Sequence, residues 1–139
     1  MKKLIFALAL VFSFIANETA FAQEINKQQF LEKVYNFEKN PQKWVYEGTL
    51  PCIVDFYADW CGPCKALSPR LAKMSEEFKG KIIIYKVNVD KEKELARAFG
   101  INSIPALLWC PAKGEPHFTQ GAISEEELRK RIEEALLKK

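Results

Sequence analysis

Cys52-Ile-Val-Asp-Phe-Tyr57 is a nearly unbroken apolar run of β-forming residues, and four residues beyond its end the chain reaches Cys61-Gly-Pro-Cys64. That junction constrains the fold more than any other stretch. A run apolar on both faces reads as a strand buried inside a sheet. A helix must follow at once, from Cys61 to about Phe78, with Leu67, Leu71 and Met74 on one face and Gly80 past its end. Pro69 lies inside this helix and is expected to kink it. Lys81 to Val89 reads as a second strand, so strand–helix–strand at the centre implies a parallel pair.

The flanks extend the pattern. Asn26 is a candidate cap for a helix from Lys27 to about Lys39, with Phe30, Leu31, Val34 and Phe37 as its apolar stripe and Asn40-Pro41 as its stop. Gln42 to Leu50, with Trp44, Val45, Tyr46 and Gly48, fits no regular period. A short helix from Lys91 to Phe99 closes at Gly100. Ala106–Cys110 and His117–Gln120 read as strands joined by a hairpin turn at Pro111-Ala-Lys-Gly114. Ser124 with Glu127 forms a capping box for a last helix that turns Leu128, Ile132, Ala135 and Leu136 inward. The fold class is therefore α/β with a mixed sheet.

At 139 residues there is room for one domain, and the first 22 do not belong to it. Lys2 and Lys3 precede an apolar run, Leu4 to Ala16, broken only by Ser13, and Ala20-Phe-Ala22 has the small-x-small form of a signal peptidase site. The run is shorter than the ~20 residues of a spanning helix. Residues 1–22 are expected to be a cleaved signal peptide, leaving a domain over 23–139 in a periplasmic or otherwise extracytoplasmic space. The formal net charge of +3 is too small to argue for nucleic acid or an anionic membrane as partner.

Export makes the four cysteines candidates for structural disulfides. Small disulfide frameworks are loop-rich, however, and this chain reads as regular helices and strands. Cys61 stands where a strand ends and a helix begins. Unpaired N–H groups and the helix dipole stabilise a thiolate there, and only the thiolate attacks sulfur. Cys64 follows one helical turn later, close enough to bond to it. Gly62 permits close approach, and Pro63 loses no hydrogen bond in a first turn. Such a Cys-x-x-Cys is a redox signal. A zinc half-site would need a second ligand pair, and Cys52, Cys110 and His117 lie at no ligand spacing, so no metal is expected. Asp55 interrupts the apolar strand; a lone buried carboxylate has a raised pKa suited to proton exchange near neutrality.

Val54-Asp-Phe56, Ala58, Trp60-Cys-Gly-Pro-Cys-Lys65, Pro69, Asn88-Val-Asp90, Gly100-Ile101 and Ile104-Pro105 together resemble the thioredoxin family in order and spacing, along essentially the whole of residues 23–139. The resemblance implies a thioredoxin fold, a central mixed β-sheet with helices on both faces. It implies that Cys61 is the exposed attacking thiol, Cys64 the buried resolving thiol, and Asp55 the carboxylate that takes the Cys64 proton, faced by Lys86. Pro105 matches the family's cis-proline, and Ile104 beside it matches the residue whose backbone pairs with an extended substrate. Trp60 and Gly121 match positions around the same groove. Ser103 and Ala106 depart from the Gly and Thr that cytoplasmic thioredoxins more often carry there, which bears on partner choice rather than on chemistry.

Family topology also sets the strand of Cys52 beside that of Cys110, running antiparallel. If Phe56 opposes Ala106, counting places Cys52 opposite Cys110. The two are then either buried free thiols acting as small hydrophobes or a second disulfide.

The expected function is a monomeric protein-disulfide reductase, needing no cofactor, acting on disulfide-containing client proteins and recharged by a membrane electron donor. The alternatives are an exported oxidant or isomerase and a non-catalytic binding module.

Overall fold

In the computed structural model, which describes residues 22–138, the strand ending beside the paired cysteines lies at the centre of a five-stranded sheet. We number the elements β1 (Gln23–Glu24), α1 (Lys27–Lys33), β2 (Cys52–Tyr57), α2 (Gly62–Glu77), β3 (Ile83–Asn88), α3 (Lys93–Ala98), β4 (Ala106–Cys110), β5 (His117–Gln120) and α4 (Glu125–Arg131). A π-helical stretch, Ile132–Leu137, continues α4. The strand order is β1-β3-β2-β4-β5. β3 runs parallel to β2 and to β1, whereas β4 is antiparallel to β2 and β5. The mixed α/β sheet expected from the sequence is present. The leader expected over residues 1–22 lies, but for Ala22, outside the described residues.

Strand alternation divides the core. Cys52, Val54 and Phe56 pack on one side of the sheet with Phe30 and Val34, at the α1 end of the chain, and Leu95 of α3. Ile53 packs on the other side with Leu67, Leu71 and Met74 of α2 and Leu128 of α4. Helices on both faces thus bury β2 from Cys52 to Phe56. Each fully buried leucine of this kind contributes about 1.5–3 kcal/mol. Trp109, wholly buried on β4, keeps its indole N–H satisfied by donating to Thr119 Oγ1 at 2.9 Å.

Several expectations need correction. Asn26 caps α1 as expected, through a capping box with Gln29, but the helix ends at Lys33 rather than near Lys39. Tertiary pairing overrides the helical period. Tyr35 bridges antiparallel to Tyr46, Glu47 N–H donates to the Val34 carbonyl, and the Tyr35 and Trp44 rings meet at 4.5 Å. The stretch that lacked a period is therefore an aromatic return strap. It requires glycine at position 48, where a Cβ would stand 2.6 Å from Tyr46 Cζ. β1 was not foreseen: two exposed polar residues, paired through their backbones, carry no pattern. α2 keeps Pro69 inside it, as expected. At α4, Ser124 Oγ accepts from Glu127 N–H at 3.1 Å, but the Glu127 carboxylate pairs with Arg131 at 2.6 Å, so only half of the capping box forms.

Cys52 does oppose Cys110, and Phe56 opposes Ala106. Both cysteines are buried free thiols. A hydrogen bond from the Cys110 thiol to Cys52, together with burial, pushes the Cys110 thiol far above its ordinary range, and inert buried thiols are the expected result. Alkylation of unreduced protein should therefore modify Cys52 and Cys110 only after denaturation. A peptide mass linking the two would contradict this.

Candidate redox site

β2 delivers the chain at Tyr57 to a short turn, Ala58-Asp-Trp60, and Cys61 then serves as N-cap of α2. The Cys61 N–H donates to the Ala58 carbonyl at 3.2 Å, and Cys61 Sγ accepts from the Cys64 N–H at 3.2 Å. Pro63 falls in the first turn, where its missing N–H leaves no intrahelical bond unmade. Cys61 and Cys64 are joined as a disulfide with Cα atoms 5.3 Å apart, inside the span such a bond needs. Apart from its chain neighbours and its own helix backbone, no protein atom lies within 4 Å of where a Gly62 Cβ would stand, so the glycine relieves no tertiary contact.

The two residues are not distinguished by exposure. Cys61 is 4% exposed and Cys64 3%, so the expected exposed Cys61 is not found in the disulfide form. The bond itself covers Cys61, and Ile104 closes over it, with the Ile104 carbonyl oxygen 3.9 Å from Cys61 Sγ. What separates the two is their backbone position. Cys61 faces the unpaired amides at the helix start, and Cys64 lies inside the first turn.

Around the pair, the Ile104–Pro105 peptide is cis. The Pro105 carbonyl accepts from the Gly121 N–H at 2.9 Å, and Gly121 has φ +90°, a conformation that glycine alone adopts readily. Trp60 is 70% exposed, and its indole N–H donates to Asp90 at 2.8 Å, which fixes the ring at the rim. The turn thus brings Trp60, Gly62 and Pro63 to the disulfide, and the cis peptide brings Ile104 to Cys61, with Pro105 held against Gly121.

On the α2 side of the sheet, Asp55 is 1% exposed and neither of its oxygens has a hydrogen-bond partner in the protein. Burial raises its pKa to about 7, against the opposing pull of Lys86. Lys86 is its direct partner in the β2–β3 register. The Lys86 ammonium, however, donates to Ser68 Oγ at 3.1 Å and stands 4.3 Å from the centre of the Tyr57 ring. A cavity of about 160 Å³ opens there, lined by Tyr57, Ala58, Asp59, Cys64, Lys65, Ser68 and Lys86. The cavity joins Cys64 to Lys86, the strand partner of Asp55, and a carboxyl group that titrates near neutrality is of the kind suited to proton exchange.

Sequence reasoning missed Ser68, Tyr57 and Asp90. Ser68 had a legible signal, since it follows Cys64 by four residues and so shares its helix face. Among the described residues, no group of three or more His, Cys, Asp or Glu side chains is placed to hold a metal ion.

Comparison with known proteins agrees with this geometry. The thioredoxin family model matches residues 14–134. A thioredoxin of Borreliella burgdorferi is 40% identical over 105 residues, 76% of this chain and 89% of that one. Thioredoxin 1 of Chlorobaculum tepidum is 40% identical over 87 residues, 63% of this chain and 86% of its own. The solved structure of chloroplastic thioredoxin z, at 23% identity, superposes with a TM-score of 0.66 over 81% of this chain and 91% of that one, a likeness of fold. With the cysteine pair at its helix start and relatives matched over most of their own length, this chain belongs to the thioredoxin family of protein-disulfide oxidoreductases.

Proposed function

We propose that the protein works outside the cytoplasm as a reductant of client-protein disulfides. The observation that carries the reading is the Cys61–Cys64 pair at the start of α2, with Ile104 and the cis-Pro105 beside it. Cys61 thiolate attacks one sulfur of a client disulfide, forming a mixed disulfide and releasing the other client sulfur as a thiolate. Asp55 takes the Cys64 proton. The Cys64 thiolate then attacks Cys61 Sγ, which closes the internal disulfide and frees the second client thiolate. Two electrons pass to the client, and Cys61–Cys64 ends oxidised. An extended client segment pairs with the Ile104 backbone by strand addition, in a groove rimmed by Trp60, Gly62, Pro63, Pro105 and Gly121. Lys86 moderates the charge of Asp55.

The export half of the reading rests on residues 1–22. Their basic, apolar and small-x-small order is that of a leader, and β1 begins at Gln23, so cleavage after Ala22 removes no residue of the sheet. A reducing dithiol in an oxidising space runs down unless it is recharged, and a membrane carrier that passes electrons outward supplies that need. Cell fractionation with N-terminal sequencing and redox trapping tests both halves. The expected result is a chain beginning at Gln23 outside the cytoplasm, with its cysteine pair largely reduced while the carrier is present. An uncleaved cytoplasmic chain would contradict export. A pair fully oxidised with or without the carrier would contradict the reducing role.

A further inference from the structure

We propose that Ser68 is a positioning residue of this site, whose hydroxyl anchors the Lys86 ammonium against Tyr57 and so keeps that charge from closing on the Asp55 carboxylate. The inference rests on the reading of Asp55 as the group that exchanges a proton with Cys64.

Register sets up the problem that Ser68 solves. Asp55 and Lys86 are paired across β2 and β3. Each sits two residues beyond an isoleucine, Ile53 and Ile84, that packs on the α2 side, so both side chains belong to that face. A buried carboxylate with no hydrogen-bond partner is a strong attractor for a nearby ammonium. Lys86 nevertheless donates to Ser68 Oγ at 3.1 Å and lies over the Tyr57 ring at 4.3 Å. Two anchors, one hydroxyl and one aromatic face, hold the cation at the cavity.

Among the described residues, few other titratable groups share the cavity with this cation. Cys64 and Lys65 come from α2, Tyr57 from β2 and Asp59 from the turn after it. From β1, Glu24 bonds to the Tyr57 hydroxyl, which burial and that bond push up to about 12. β4 offers Leu107 opposite Asp55 and no charge. Among the described residues, Lys86 is the cation whose charge favours ionised Asp55, and Ser68 is the group that holds it by hydrogen bond.

Removing the hydroxyl leaves only the ring to hold the ammonium, and the carboxylate is the acceptor in need of a partner. Closer approach of the cation favours the ionised form of Asp55. Ser68→Ala should therefore move the Asp55 titration midpoint down by about one pH unit, as a nearer opposite charge does. The acid limb of mixed-disulfide resolution should move with it. Alanine suits a helix interior, so the variant keeps its fold.

The test is an NMR titration of the Asp55 carboxyl carbon in the reduced protein, paired with the pH profile of resolution. Ser68→Thr, which retains the hydroxyl, should keep the wild-type midpoint. Lys86→Met should raise it, and Ser68→Ala added to Lys86→Met should shift it no further. An unchanged or higher midpoint in Ser68→Ala would overturn the proposal, as would an equal shift in the Lys86→Met background. Failure of the underlying reading looks different: Asp55→Asn would then resolve mixed disulfides at the wild-type rate, while the NMR midpoint still reports on Ser68.

Discussion

Cys61→Ser is expected to reduce insulin, with dithiothreitol as electron source, no faster than dithiothreitol alone. Cys61 is the N-cap of α2, where its sulfur accepts the Cys64 N–H, and a thiolate there is held by the unpaired amides of the first turn. A serine hydroxyl in the same place neither ionises near neutrality nor forms a bond with sulfur. Cys64→Ser should fail differently. Attack by Cys61 still proceeds, but no second thiol releases it, so covalent complexes with clients accumulate and disappear on reduction. Non-reducing gels of the two variants, incubated with a disulfide-bearing client, distinguish these fates. Full turnover by Cys61→Ser would remove the mechanism at its first step.

Asp55→Asn is expected to change kinetics and stability in opposite directions. The carboxyl is buried with unpartnered oxygens and titrates at about 7. Asparagine cannot take the Cys64 proton, so resolution of the mixed disulfide should slow by about 10²-fold near pH 7 and above, the low end of what a positioned base contributes. The rise of that rate through pH 7 should flatten. Stability follows from the sign of the shift. The folded protein binds this proton more tightly than the unfolded chain does. The stability it supplies is complete below the unfolded carboxyl pKa and is lost as pH rises through about 7. The neutral amide escapes that loss. Asp55→Asn should be the more stable protein at pH 8, by an amount on the order of 4 kcal/mol, with the gap closing near pH 4. Urea denaturation at the two pH values checks it. A variant less stable than wild type at pH 8 would show the carboxylate to be paired and structural.

The sheet was legible where one physical signal governed it. β2, β4 and β5 appear at the bounds read from the sequence: β2 and β4 are buried apolar runs, and the hairpin turn at Pro111–Gly114 separates β4 from β5. Once the family resemblance set the two strands side by side with Phe56 opposite Ala106, antiparallel counting carried the Cys52–Cys110 register. Signals failed where tertiary contacts decided. Phe37 fits the period of α1, yet the Tyr35–Tyr46 bridge draws the chain out of the helix first. β1 holds by two backbone pairings and leaves no trace in side-chain pattern.

The candidate site divides in the same way. Cys61 and Cys64 were legible in the motif and Asp55 as the charge inside an apolar strand, whereas Lys86 came only with the family resemblance. The landing point of a four-carbon lysine chain does not follow from its own strand, so the Lys86–Ser68 bond could be read only in three dimensions. Nor could the sequence show that Cys61 would be as covered as Cys64, because the cover is the disulfide and Ile104, which is far away in the chain.

The reduction potential of the Cys61–Cys64 pair, measured by equilibration against a defined glutathione or dithiothreitol couple, tests the reducing role most directly. A protein that reduces client disulfides should hold its own pair at about −270 mV, as thioredoxin does. A potential near the −120 mV of a strong disulfide oxidant would contradict the account, because such a pair gives its disulfide away instead of taking one up.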